Sequence, residues 1–375
     1  MHFKLNRIKF LGNFARIIFF NKFIIRLLCA LIPSKGVRNF LRSRVVTFDG
    51  IVLLFKLKEK YKDYWVFFSM GGLGELIESA VLLKDFRQKK SGKILFIVDS
   101  TAKKDVITLF DSVDEVLLVS KSEYLGLSGF IPKRNGVPLS PELSCKSDII
   151  PVFHYKSLIP YGSKDGKKSM MEAVSAYLKV DDSYNIDRPQ ISEELKTKAK
   201  NTFRELNLIA GKTVLIAPFA NSYNSDFITP EMWTKLADKM VYDGYEVIFN
   251  SPKSIFGRHK TIMLPVDETV AIADMCSHII CFRSGFSEVM AVFANPKMLV
   301  VYPGNNIKMY LNQGNNGNSN GLSMSALAVM QYSSLKTMFG KTNVVEVLFE
   351  GDELELSEYF SGFFEYQTVF HRYDV

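Results

Sequence analysis

A glycine-rich loop carrying one carboxylate, Gly71-Gly72-Leu73-Gly74-Glu75, follows the apolar run at 64–70 and opens a helical pattern. Its glycines let a substrate approach the backbone closely. Glu75, in the first helical turn, is suited to accept a proton from a hydroxyl or to bind a sugar hydroxyl. The plainer reading is a carboxylate that stabilises the helix N-terminus locally. A dinucleotide fingerprint would use Gly72, Gly74 and, at the end of the next strand, Asp99. Against it, Ile77 stands at the third glycine position, and Glu75 puts an anion where a pyrophosphate needs positive potential. A second constellation lies in "CFRSGFSEVMA", where Arg283, Ser284 and Gly285 sit between a strand and a helix that carries Glu288. A cation, a hydroxyl, a glycine and a helix N-terminus suit a diphosphate, and Glu288 could accept hydrogen bonds from a ribose. Here too a plainer reading exists, in which Arg283 pairs with an acid and Glu288 lies on a solvated face. Asn221 and Ser222, in the turn after "TVLIAPF", offer neutral hydrogen-bonding groups at another strand end.

Positioning such residues requires strands that end side by side. "YWVFFSM" (64–70), "KILFIVD" (93–99), "EVLLVS" (115–120) and "DIIPVFHY" (148–155) read as strands of a first domain, with helices near 74–90 and 101–112. The stretch 121–146, with three glycines and three prolines, reads as loop. The pattern restarts with "TVLIAPF" (213–219), "YEVIFN", "HIICF" and "MLVVY". Thr229 and Pro230 open a helix whose buried face is Trp233, Leu236, Ala237, Met240 and Val241, and Gly244 ends it. Unbroken apolar strands separated by helices imply parallel sheets covered on both faces, with ligands at the carboxyl ends of the strands. The expected division is 1–44, a basic amphipathic segment; 45–185, a first Rossmann-like domain; 186–345, a second; and 346–375, a helical tail. The Asn/Gly-rich stretch 304–321 follows the last strong strand.

The chain has 375 residues and a net charge of +8, but the charge is uneven. Residues 1–44 hold ten basic side chains and no acid, leaving 37 basic and 39 acidic residues in the rest. A near-neutral body excludes a nucleic-acid partner outside that segment. The segment interleaves its cations with Phe and Ile, too frequently for a membrane span, and fits an interfacial helix on an anionic leaflet. Its bland alternative is a helix packed on its own domain. The four cysteines lack metal spacing and the five histidines are dispersed, so neither a metal site nor a disulfide framework is expected, and a reducing compartment is.

Taken together, the glycine-acid loop, the "PFANS…TPEMW" turn and helix, and the strand-"RSG…E"-helix unit resemble bacterial GT-B glycosyltransferases of the heptosyltransferase-like kind, over roughly residues 64–304. The resemblance implies two Rossmann-like doubly wound domains, no cofactor beyond the nucleotide-sugar substrate, and Glu75 as the base that deprotonates an acceptor hydroxyl. Gly71, Gly72 and Gly74 would border the acceptor. Asn221, Ser222, Arg283, Ser284, Gly285 and Glu288 would bind the donor. The chain departs from the family at Gly72, which replaces an acid, at Ser225 and Asp226, where basic residues are expected, and at Arg283 and Glu288, which replace an aspartate and a histidine. "LIPSKGVRNFLRSR" is similar to basic N-terminal segments of enzymes of lipopolysaccharide and capsule synthesis, which implies a lipid-linked or glycan acceptor and a peripheral place on the cytoplasmic face of the membrane. The rivals are a polysaccharide pyruvyltransferase-like enzyme, an NAD-dependent oxidoreductase, and an inactive membrane-associated scaffold.

Overall fold

The computed structural model describes residues 35–131, 133–134, 137–138, 149–152, 170–180, 185–188, 191–219, 228–293, 295–303, 335–340, 343–349 and 363–364. The first sheet holds β1 (Tyr64–Ser69), β2 (Lys93–Val98), β3 (Glu115–Leu118) and β6 (Ile149–Val152), all parallel, in the order β3-β2-β1-β6. Two short strands, β4 (Lys133–Arg134) and β5 (Val137–Pro138), pair separately. The second sheet holds β7 (Thr213–Ala217), β8 (Glu246–Asn250), β9 (Lys260–Ile262), β10 (His278–Phe282), β11 (Lys297–Pro303) and β12 (Val344–Phe349), in the order β12-β11-β10-β7-β8-β9. Five consecutive buried residues in β1, in β2 and in β7 are the unbroken apolar runs of the sequence, buried because helices cover both faces.

The strand orders decide where ligands can sit. In each sheet the order reverses direction once, between β1 and β6 in the first and between β7 and β10 in the second. Helices leave in opposite senses from such a pair, so a crevice opens outside the carboxyl ends of those strands. Glu75 follows β1 and Arg283 follows β10, so both residues lie at reversal points.

Three elements differ from the sequence expectation. The first is a helix α1 (Lys35–Lys60), which runs unbroken through residue 44, where the composition changes. It buries Leu53, Leu57 and Tyr61 against the first sheet, so its C-terminal half belongs to that domain's core. The second is the helix expected near 74–90, which is interrupted. It divides into α2 (Leu73–Ala80) and α3 (Leu83–Lys90), with Leu82 N–H bonded to Ser79 three residues back, and the Val81 carbonyl accepting from Asp187 N–H at 2.8 Å. That bond fastens the inter-domain connection to the break. After α4 (Thr101–Ile107), the third is the first part of the expected loop, Lys121–Phe130, which is a helix, α5. Ser120 and Glu123 cap it reciprocally. Its Gly126 is no breaker: a Cβ there would overlap the Val46 carbonyl and the Gly50 backbone of α1, and a Cβ at Gly50 would overlap Gly126. Two helices cross backbone to backbone at this point. Gly126→Ala should therefore cost roughly 2 kcal/mol or more in urea unfolding, at the scale of a forced overpacking rather than the gain a helical Ala usually brings.

α6 (Met170–Leu178) packs on α2 and closes the first domain. In the second domain α7 (Glu193–Glu205) precedes β7, and α8 (Pro230–Tyr242) opens as expected, with the Thr229 hydroxyl accepting from Met232 N–H. Trp233, Leu236, Ala237 and Met240 are buried, whereas Val241 is exposed and lies off that face. Gly244, at φ +89°, ends the helix. Next come α9 (Val266–Met275), α10 (Gly285–Phe293) and α11 (Leu335–Phe339). Residues 346–349, expected in the helical tail, belong instead to β12 (Val344–Phe349), whose Val344, Val347 and Phe349 are buried beside β11. Phe363 and Phe364 pack on His278, and Phe364 also on Tyr245. His278 is held down to about 4 by burial and by Lys297. Cys276 and Cys281 are buried free thiols, pushed upward by burial, and pack as small apolar groups. Asn221, Ser222, residues 1–34 and the stretch 304–321 lie outside the described residues.

Candidate active site

The glycines of the first loop answer to Glu75. Gly72, extended at φ −75° and ψ −171°, is the N-cap of α2, and its N–H donates to Glu75 Oε2 at 2.7 Å. The carboxylate thus folds back over the loop. A Cβ at Gly71 would lie 3.0 Å from Glu75 Cδ, and one at Gly72 would lie 2.8 Å from Glu75 Oε2. The first distance is tight and the second shorter than real side chains show, so a side chain at either position would push the returning carboxylate aside. Glu75 is half-buried, and its charge is felt by Glu288 of the second domain. Asp99 is tied to Lys103 Nζ at 2.7 Å. Glu75 over the loop puts an anion where a pyrophosphate would lie, and Asp99 already pairs with a cation; both weigh against the dinucleotide reading.

Gly74 answers to the other domain. A Cβ on it would overlap Glu288 Oε2, and a Cβ on Gly285 would lie 2.7 Å from Gly74 N and 3.0 Å from Leu73 Cβ. The N-termini of α2 and α10 therefore meet at van der Waals contact, glycine to glycine. Phe110 and Phe293 continue the contact edge to face, with centroids 5.7 Å apart. The two sequence constellations are brought together at one place.

The electrostatics of that junction are not those of two open lips. Arg283 is 3% exposed and Glu288 6%, and the two form a buried ion pair through Nη1 and Oε1. Of the two readings left open by the sequence, the structure shows Arg283 paired with an acid; Glu288 is buried, not solvated. Burial works against the Arg283 charge, while Glu288, Tyr302 and Glu78 hold it on. Ser284 caps α10: its hydroxyl accepts from Ser287 N–H at 3.4 Å, and Ser287 Oγ accepts from Ser284 N–H at 3.0 Å. Tyr302 reaches the guanidinium from β11 and hydrogen-bonds Glu346 of β12.

Glu78 completes the cluster, and reasoning from the sequence missed it. It lies one turn after Gly74, on the same face of α2, and is 3% exposed. Its signal was a lone carboxylate inside the apolar run "LIESAVLL". Glu78 Oε2, Glu288 Oε2 and Arg283 Nε are buried without a hydrogen-bond partner. Two buried carboxyls and the half-buried Glu75 face a single guanidinium, so the full set of charges cannot persist. Burial first, then Glu288 and Glu75, raise Glu78 well above the ordinary carboxylate range, with Arg283 opposing. Burial also raises Glu288, but the guanidinium is its partner, so Glu78 keeps the proton.

This has a signed consequence for stability. Above the carboxylate's unfolded value of about 4.3, the unfolded chain has released a proton that folded Glu78 retains. Stability then falls as pH rises, until the folded-state pKa is passed. Glu78→Gln copies the neutral acid and removes this loss. It should be more stable than the parent at pH 8, by about 1.4 kcal/mol for each unit of displacement, with the advantage closing toward pH 5 in paired urea titrations. An equal difference at both values would mean that Glu78 is ionised in the folded protein.

On the first-domain side of Glu75 stands Tyr124 of α5. Its ring lies 4.9 Å from that of Phe68, and Lys103 Nζ lies 5.8 Å from its centroid. Burial, then Asp99 and Glu75, push its phenol upward, so it remains a hydroxyl donor at any physiological pH. Among the described residues no group of three or more His, Cys, Asp or Glu has a metal-binding arrangement.

No protein-family model and no curated protein matches the chain. Solved structures do. A glycosyl transferase family 9 protein from Veillonella parvula superposes with a TM-score of 0.50 at 16% identity, covering 79% of this chain and 90% of that one. The E. coli ADP-heptose lps heptosyltransferase II gives 0.49 at 12% identity, over 77% and 91% of the two chains. E. coli heptosyltransferase WaaC with ADP gives 0.45 at 12% identity, over 79% and 98%. At such identities the likeness with the Veillonella structure is one of fold, and the fold is the two-domain GT-B architecture that the sequence led us to expect.

Proposed function

We propose that the protein is a metal-independent GT-B glycosyltransferase that moves a sugar from a nucleotide-sugar donor to a hydroxyl of a glycan or lipid-linked acceptor at the cytoplasmic face of the membrane. One observation carries the reading: the reversal points of two parallel sheets meet at a glycine-to-glycine contact, with Glu75 on one side and the N-terminus of α10 on the other. The GT-B fold supports it.

In this reading the acceptor oxygen bonds to the anomeric carbon as the bond from that carbon to the phosphate oxygen breaks. The nucleoside diphosphate leaves with the electron pair, and Glu75 takes the hydroxyl proton. The leaving charge falls at the N-terminus of α10, near Ser284 and Gly285, where a helix dipole favours an anion. Asn221 and Ser222 would bind the donor from the β7 side. Arg283, sequestered by Glu288, acts behind the site: it holds the first turn of α10 in place instead of gripping phosphate. This part of the donor role differs from what the sequence suggested, and buried geometry is the reason. The domains would be 45–185 for the acceptor and 186–345 for the donor, extended by β12.

Thermal-shift titration against a panel of nucleoside diphosphates tests the reading, because a ligand bound only by the folded state adds about 2.7 kcal/mol at a hundredfold excess over Kd. One base should raise the Tm saturably, and the corresponding nucleotide sugar should do the same. If phosphoenolpyruvate alone shifts the Tm, the pyruvyltransferase reading replaces this one.

A further inference from the structure

One face of α1 carries an apolar stripe that the described elements leave partly open. Val45, Phe48, Val52 and Phe55 recur at spacings of three and four, so they line one side of the helix. Leu53, Leu57 and Tyr61, on the opposite side, fill the core. Val45 and Phe48 are half-buried, but Val52 is 43% and Phe55 64% exposed, the latter among the most exposed large apolar side chains in the described protein. A helix apolar on two faces has two things to cover, and the sheet covers one.

A stripe with this spacing could serve a second copy of the chain in a coiled coil, or a membrane surface. Charge decides between them. The exposed Lys56 and Lys58 flank the stripe on its two sides, and acid enters its line only at Glu59, past Phe55. Two copies would bring like charges together along the seam, where pairing helices need opposite ones. An anionic leaflet presents the complementary charge, and lysine stems can lie along the apolar surface while the ammonium groups reach the phosphates. The ten basic residues and no acid of segment 1–44 lead into the same helix and add to the same attraction. Among the described residues no helix is long and apolar enough to cross a membrane, so α1 would lie in the interface.

We propose that the Val45–Phe48–Val52–Phe55 face of α1, flanked by Lys56 and Lys58, docks the protein on an anionic lipid surface. Segment 1–44 alone could do so as a tether. The structure adds that the docking face is fixed to the body, because α1 crosses α5 at the Gly50–Gly126 contact and α5 carries Tyr124 beside Glu75. The lipid surface thereby gains a set orientation relative to the site. This holds whether or not the site transfers sugar.

Vesicle co-sedimentation of the full-length chain tests it, with phosphatidylcholine vesicles containing or lacking phosphatidylglycerol. The parent should bind only the anionic vesicles, and less as salt rises. Val52→Ser/Phe55→Ser removes exposed apolar area while leaving the core intact. It should lower the partition coefficient roughly tenfold or more, with an unchanged Tm, since the two side chains bury apolar surface only on the membrane. Lys56→Gln/Lys58→Gln should lower it several-fold through charge alone. Equal binding by parent and Val52→Ser/Phe55→Ser would overturn the proposal and leave the tail as the whole anchor. So would a parent that ignores both vesicle types but is dimeric by light scattering, with Val52→Ser/Phe55→Ser returning it to a monomer.

Discussion

Glu75→Gln should lower the rate of sugar transfer by about 10² to 10⁴ while leaving the fold and donor binding as they are. The variant is informative because of what it preserves. The Gly72 N–H donates to Glu75 Oε2 at 2.7 Å, and a glutamine oxygen at the same place accepts the same bond. The N-terminus of α2 keeps its cap, and the glycines keep the side chain folded above them. Only the capacity to take a proton disappears. Single-turnover transfer with the donor identified by thermal shift would measure the loss, and donor titration would show an unchanged Kd. A rate equal to the parent's would reduce Glu75 to a helix cap, and an inactive scaffold would then be the better account of the protein. Glu75→Asp separates geometry from basicity: it retains a carboxylate but withdraws it by one methylene, so an intermediate rate is expected.

The fold was legible because its strands are long apolar runs with helices between them. Such runs must be parallel and buried, and β1, β2 and β7 are. The two loops that meet between the sheets were legible too, as glycines beside a carboxylate after β1 and beside an arginine after β10. What the sequence withheld was their pairing. Arg283 and Glu288 are five residues apart, across a strand end and the first turn of a helix, and nothing local says that the guanidinium turns inward. Gly126 was misread for a related reason. A glycine in a polar stretch marks a turn in most settings, but here it admits the backbone of a helix 76 residues earlier, at Gly50. Gly74 is the same case between domains, since its missing side chain is explained only by Glu288. Glycines that serve distant partners look identical in sequence to glycines that serve their own turn. Residues 346–349 read as the start of a helical tail because they begin an acidic amphipathic stretch, whereas pairing with β11 makes them a strand.

Glu288→Ala should cost about 3 to 5 kcal/mol, the largest stability loss expected for any single substitution in the cluster. The truncation leaves a guanidinium that is 3% exposed with its principal counter-charge gone. It also removes the carboxylate that sits against Gly74, so the contact between α2 and α10 loses the group that fills it. Glu78 does not rescue the site at low cost, because it must surrender its proton to become the new partner. The loss should therefore shrink as pH rises and ionised Glu78 becomes available to Arg283; its survival in full at pH 9 would show that the two are not coupled. Arg283→Ala is the reverse experiment, stranding two buried carboxyls instead of one cation, and Glu288 then protonates along with Glu78. Its penalty should be smaller in acid and grow with pH, opposite in slope to that of Glu288→Ala. The paired replacement Arg283→Met/Glu288→Leu removes both charges at similar volume and should recover most of the stability, as buried ion pairs exchanged for apolar groups generally do. If it recovers stability yet abolishes nucleotide binding, the pair exists to hold the first turn of α10 in the geometry a leaving phosphate requires. If binding survives as well, the buried charges have no part in the site, and the contact between α2 and α10 needs only the shape that Gly74 and Gly285 provide.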